Sequence, residues 1–260
     1  MYSYTKLQPM MTPIAPIFTA HLFPTLDRLL EEVLRSLAPE DWERPTLAPL
    51  WRVKDLAAHL LDGNLRALSM LRDGYFGEKA PEIHSYADLV QFLNQLNADW
   101  VRAFRRVSPA VLVDWLVESG KSFQTLVAAL PPFDQAAFSV AWAGEETSLN
   151  WFHIAREYTE KWHHQQQIRQ AVGQELPLYA SDLYQPYLAT SMRALPHHYS
   201  RIEAEEGSLI EVTVPGDSGG TWCLQKGKTA WSLWEGSPVR PPQCQILLPP
   251  SLAWRLFTKG

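Results

Sequence analysis

The sequence predicts a mainly α protein, in which a helical bundle fills most of the chain and a small α+β module follows it. Three observations carry this. Apolar residues recur at helical spacing as far as the Tyr184–Met192 stretch. Beyond Leu209 the pattern changes to short runs rich in β-branched and aromatic residues. Between those runs stand clusters of Gly, Pro, Ser and Asp, which are turn formers. The expected domains are 14–200 for the bundle and 207–260 for the module.

The first helix is expected over Thr25–Leu37, where Leu26, Leu29, Leu30, Val33, Leu34 and Leu37 share one face. An earlier start near Ile14 would place a bend or split at Pro24. A second helix spans Val53–Leu71, with Val53, Leu56, Ala57, Leu60, Ala67, Leu68 and Leu71 as its apolar face. A third covers Tyr86–Val107, and a shorter helical piece runs from Pro109 to Leu130, where Pro131-Pro132 ends it. Ser148 is placed to cap a long helix over Leu149–Val172, with Gly173 as its stop. A fifth opens at Ser181-Asp182 and fades near Pro196. Strands are expected at Leu209–Val214, Thr221–Gln225, Ala230–Trp234 and Gln243–Leu248. The stretch Leu252–Phe257 is compatible with a helix or a strand.

Bulk properties narrow the classes of function. The formal net charge is −5 and no basic stripe is present, which argues against a nucleic-acid partner. No apolar run reaches the roughly 20 residues that span a bilayer, and the first residues lack the pattern of a secretory signal. A cytoplasmic location is therefore expected, as a monomer or homodimer. The two cysteines, Cys223 and Cys244, read as buried reduced thiols in strands rather than as nucleophiles. Eleven tryptophans imply a well-filled interior.

The candidate chemistry lies in the long helix, in the run from Arg156 to His164. Glu160 and His164 stand four apart, one above the other on a helix face. A carboxylate and an imidazole at that spacing suit one divalent ion. A third ligand has to come from another helix, and His59 is the natural candidate. Periodicity pulls the other way: at about 100° per residue, Trp151, Ile154, Tyr158 and Trp162 form the apolar side, with Glu160 and His164 nearly opposite. Such a face reads as solvated unless something covers it, and the module after Leu209 is the expected cover.

The segments Leu37–Trp42, Pro45-Thr46 and Trp51–Leu60, with Arg156–His164 and the ending Ile168–Gly173, resemble the metal-binding N-terminal domain of mycothiol-dependent maleylpyruvate isomerases. That family lies within the DinB-like four-helix superfamily. Its Trp-x-Val-x-Asp-Leu-x-x-His-Leu segment matches Trp51–Leu60, and its Arg-x-x-x-Glu-x-x-x-His segment matches Arg156–His164. The resemblance covers Ile14–Gly173, and Ser251–Thr258 looks more distantly like the family's C-terminal domain. It implies a DinB-like four-helix bundle whose metal ligands are His59, Glu160 and His164. The metal would be zinc, with nickel as the alternative, and a low-molecular-weight thiol such as mycothiol would be the second cofactor.

Arg156 and Arg255 are the residues expected to meet an anionic small-molecule substrate. Asp55, one turn before His59, is a candidate to orient it or to pair with a nearby base, and Asn64 and Arg66 are candidates to line a pocket or to belong to a polar helix surface. Two features depart from the family. The position three after the second histidine, often acidic, is Gln167, and the chain stops at Gly260, where relatives continue. The expected activity is thiol-dependent isomerisation or S-transfer. The alternatives are a protein that binds metal or a small ligand without turnover, and a metal-dependent hydrolase.

Overall fold

A computed structural model describes residues 11–258. In chain order the principal elements are β1 (Thr12–Pro13), α1 (Phe23–Arg35), α2 (Val53–Ala67), α3 (Tyr86–Phe104), α4 (Pro109–Ala129) and α5 (Asn150–Ala171). They are followed by α6 (Ser181–Met192), α7 (Leu195–His198), β2 (Leu209–Val214), β3 (Gly220–Lys226), β4 (Trp231–Glu235), β5 (Cys244–Leu247) and α8 (Pro250–Thr258). The fold is mainly helical, with one small mixed sheet. Among the described residues no helix is long and apolar enough to cross a membrane.

The helix termini follow local chemistry. Pro24 neither bends nor splits α1; it occupies the first turn, where a missing N–H costs nothing. Ser85 caps α3 by accepting from the Asp88 N–H, and Ser108 caps α4 directly before Pro109. α4 has the expected bounds to within one residue, but at 21 residues it is longer, not shorter, than the 19-residue α3. Ser148 does not cap α5. Its hydroxyl accepts from the Val140 N–H at 2.8 Å, and the first N–H groups of α5 donate instead to the Asp134 and Pro132 carbonyls. Gly173 does end α5, at a φ of +73° that favours glycine, and the Gln174 N–H closes back onto the Arg169 carbonyl.

The described residues divide into two compact units. The helical unit comprises Thr19–Pro131 and Glu160–Leu178. In it α2 packs on α3 and α4, and α1 packs on α4. Its core joins Leu30, Val33 and Leu34 of α1, Val53, Leu56, Ala57 and Leu61 of α2, Leu112 and Leu116 of α4, and Ile168 of α5. Arg169, 2% exposed, donates to the Leu29 carbonyl at 2.6 Å and the Gln174 carbonyl at 3.1 Å. Burial lowers that guanidinium to about 10. Lys161 pairs with Asp27 at 3.0 Å, Gln124 donates to the same carboxylate at 2.8 Å, and the ammonium lies 4.3 Å from the centre of the Phe123 ring.

The mixed unit comprises the described part of Met1–Phe18, with Pro132–Thr159 and Tyr179–Gly260. Its sheet has the order β1-β4-β3-β2-β5, antiparallel throughout except for the parallel β2–β5 pair. Val212 sits opposite both Trp222 and Ile246. The final segment is the helix α8, held by Tyr184 Oη–H donating to the Pro250 carbonyl at 2.6 Å and Tyr187 Oη–H to the Trp254 carbonyl at 3.0 Å. β1 is too short to leave a periodic signal and pairs with β4 through Thr12 and Pro13. Both cysteines are free thiols, but only Cys223 is buried; Cys244 is exposed because β5 is an edge strand.

Candidate metal centre

α2 and α5 each contribute from the middle of a well-packed helix. α2 starts where Asp55 turns back to accept the Arg52 N–H at 3.1 Å. Its flanks, Leu56, Ala57, Ala58, Leu60 and Leu61, are all buried. That fixes the angular setting of His59. α5 is polar in sequence yet buried on most sides, with His163, Gln165, Gln166, Gln167 and Arg169 all at or below 6% exposure. The reading of the face around Glu160 as solvated holds for Glu160 itself, which is exposed, and fails for His153, which is buried. Periodicity misses the buried polar residues because a helix packed on several sides leaves no amphipathic stripe.

His59, Glu160 and His164 each offer a ligand atom, and these atoms lie within 4.8 Å of one another. All three belong to the helical unit. The His59 and His164 rings meet edge to face with centroids 4.8 Å apart. The Trp51 ring walls both, 4.8 Å from His59 and 6.2 Å from His164. His164 Nε2 faces Glu160 Oε2 at 3.5 Å, while its Nδ1 bonds Gln167 Oε1 at 2.9 Å. The Glu160 side chain keeps 58% of its surface open to solvent.

The electrostatics put these groups in ligating forms. Burial lowers His59 to about 3, with the neighbouring His164 acting in the same direction and Glu160 opposing it. Desolvation by the surrounding protein would raise Glu160, but its contact with His164, followed by the nearby His59 and His163, outweighs this and holds the carboxyl at about 2. His59 is thus a neutral imidazole and Glu160 a carboxylate near neutral pH, the states a divalent ion requires.

Two further observations test the fit. His59 Nδ1 is buried without a hydrogen-bond partner among the described residues. His164 stands between two acceptor oxygens, Gln167 Oε1 at 2.9 Å from Nδ1 and Glu160 Oε2 at 3.5 Å from Nε2, and a neutral imidazole has one N–H for the two of them. Two acceptors so placed need a positive charge, either a proton on the ring or an ion between them. The residues fit a divalent ion of the kind bound by imidazole and carboxylate.

The remaining residues singled out in the sequence are engaged with other partners. Asp55 does not orient His59: it caps its own helix and accepts from Arg105 at 3.1 and 3.2 Å. Asn64, 1% exposed, donates to Ser119 Oγ at 3.1 Å, and Arg66 pairs with Asp62 at 3.0 Å and Asn97 at 3.1 Å. Arg156 donates to Glu157 and, at 3.0 Å, to His153 Nδ1. Arg255 lies over the Trp254 ring at 5.3 Å. Both arginines belong to the mixed unit, whereas the three candidate ligands do not. Burial pushes the Cys223 thiol up to about 11, which removes it as a nucleophile near neutral pH. A cavity of about 350 Å³ in the mixed unit is lined by Gln135, Glu145, Thr147, Ser148, Leu149 and Trp151, and none of the candidate ligands reaches it. Sequence reasoning assigns no role to Trp51 or Gln167; the one signal for Gln167 is its spacing, three after His164.

A helical unit presenting two imidazoles and a carboxylate from two helices defines a class of candidate metal-binding helical domains. The family model described as "Mycothiol maleylpyruvate isomerase N-terminal domain" matches residues 23–169, and the chain belongs to that family. Two solved structures share its fold, each with a TM-score of 0.53 and with 92% of this chain and 88% of the other covered. One is the mycothiol-dependent maleylpyruvate isomerase, at 14% identity; the other is a histidine-to-alanine mutant of the mycothiol-dependent maleylpyruvate isomerase, at 13%. No curated protein matches the chain by sequence.

Proposed function

We propose that this chain is a metal-dependent enzyme of the thiol-dependent isomerase or S-transferase type, with His59, Glu160 and His164 holding one divalent ion in a DinB-like four-helix bundle. The observation that carries the reading is the convergence of those three ligand atoms within 4.8 Å. Membership of the family and the likeness to structures titled as mycothiol-dependent maleylpyruvate isomerase support the reaction class. Zinc suits the donor set best, with nickel as the alternative. The domain division at 200–207, a cytoplasmic location, a small-molecule substrate and a monomeric or homodimeric state belong to the same reading.

A bound ion would supply Lewis acidity, lowering the pKa of a thiol or water at its open position. The protein's own groups do the rest. Burial holds His59 in its ligating form, and the neighbouring histidines hold Glu160 in its own against desolvation. Trp51 walls the imidazoles and limits water on that side. Arg156 and Arg255 are proposed to bind the carboxylate of an anionic substrate.

A thiolate would then add to an activated carbon–carbon double bond, allow rotation about the resulting single bond, and leave, which gives cis–trans isomerisation. In the transferase variant the carbon–sulfur bond is kept and the carbanion takes a proton. The second reading, binding without turnover, draws on the engagement of Arg156 with His153 and Glu157, which leaves less of its guanidinium for a substrate.

Metal analysis of the purified protein beside its His59→Ala variant tests the reading. One equivalent of metal in the parent and loss of most of it in the variant are expected. Unchanged stoichiometry in the variant would sink the ligand set. If the metal is present, addition of mycothiol with maleylpyruvate decides between turnover and binding alone.

A further inference from the structure

The contact between His164 and Gln167 has a chemical asymmetry. Gln167 is 3% exposed, and its amide oxygen lies 2.9 Å from His164 Nδ1. A carbonyl oxygen carries no hydrogen, so the hydrogen of that bond must sit on Nδ1. A neutral imidazole has one ring N–H, and Nε2 is left with a free lone pair. Nε2 is the atom that faces Glu160 Oε2 at 3.5 Å. The amide has a second orientation open to it. Turned over, it would present its NH₂ to Nδ1, drive the ring proton to Nε2 and remove the lone pair from the ligand side. A carboxylate at this position has only acceptor oxygens and permits no such reversal.

We infer that Gln167 is a positioning residue for the ion: its amide oxygen holds His164 in the Nδ1–H tautomer and keeps Nε2 available as a ligand. Because the amide is neutral, it performs this task without adding negative charge beside Glu160. The orienting bond is of the kind that commonly supports metal-bound histidine, and its loss typically costs about 10–100-fold in metal affinity. The inference rests on the ligand set of the proposed function and adds to it a residue that fixes which ring nitrogen is free.

Competition with a chromophoric chelator measures Zn²⁺ affinity in the wild-type protein, Gln167→Leu and Gln167→Glu. Gln167→Leu should bind about 10–100-fold more weakly, and Gln167→Glu should bind at least as tightly as the wild type. Long-range ¹H–¹⁵N NMR of the Zn²⁺-loaded protein reads the ring directly, and the wild type should show the His164 proton on Nδ1 and none on Nε2. Wild-type affinity in a folded Gln167→Leu variant, or a proton on His164 Nε2 in the Zn²⁺-loaded wild type, would overturn the inference while leaving the ligand set standing. If the wild type binds no Zn²⁺, the ligand set falls and the inference falls with it.

Discussion

Replacing Asp55 with alanine separates two roles that its place one turn before His59 allows. In the structure Asp55 is a fold-holding group: it accepts the Arg52 N–H at 3.1 Å and two bonds from Arg105. Its side chain is 5% exposed, whereas that of Arg105 is 58% exposed. The loss of the helix-terminal acceptor costs about 1 kcal/mol, within a range of about 0.5–2. The ion pair has one end in water, so its share is at most about 1 kcal/mol after screening. Asp55→Ala should therefore lower the unfolding free energy by about 1–3 kcal/mol. Arg105→Ala should lower it by less than about 1 kcal/mol, and Asp55→Asn should fall between the two because the amide oxygen can still accept. Urea denaturation followed by circular dichroism measures the three, and chelator competition measures their Zn²⁺ affinity. An Asp55→Ala variant with wild-type stability and a tenfold or greater loss of metal affinity would refute the reasoning and make Asp55 the orienting partner of His59.

Two further outcomes follow from the structure. His59 and His163 are both held near 3, first by burial, against an ordinary value of 6.5, so the unfolded chain binds more protons at these sites. Stability should then decline as pH falls below about 6.5 and continue to decline toward 3; Glu160, lowered to about 2, adds loss in the same direction below about 4.5. Urea midpoints of metal-free protein between pH 7 and pH 4 measure this, and a flat profile would contradict it. Lys161→Met should cost about 3 kcal/mol by stranding the mostly buried Asp27 carboxylate, and the double variant Asp27→Leu, Lys161→Met should recover most of that. A double variant as unstable as the single one would show that the pair is not the source of the cost.

How much of the molecule is legible in the sequence depends on the kind of signal. The edges of β2 and the starts of α3 and α4 are readable because turn formers, Ser caps and a helix-starting proline announce them locally. The start of α5 is misread at Ser148, because the partner its hydroxyl chooses, Val140, is eight residues away and leaves no local trace. β1 escapes detection because two residues carry no alternation. At the candidate centre, spacing and motif are enough to propose the i, i+4 pair and His59. The burial of Gln165, Gln166, Gln167 and Arg169 cannot be read that way, since it depends on which helices pack around α5. Spacing offers Asp55 two roles, and only the position of Arg105, fifty residues away, selects one.

The ligand atoms come from α2 and α5, so the chain makes a long excursion through α3 and α4 between the first histidine and the glutamate. An ion held at both ends would be a removable cross-link, closing a loop of about a hundred residues in the way a disulfide does. Like a disulfide, such a link would restrict the unfolded ensemble. Unlike one, it could be undone by a chelator without any change in oxidation state.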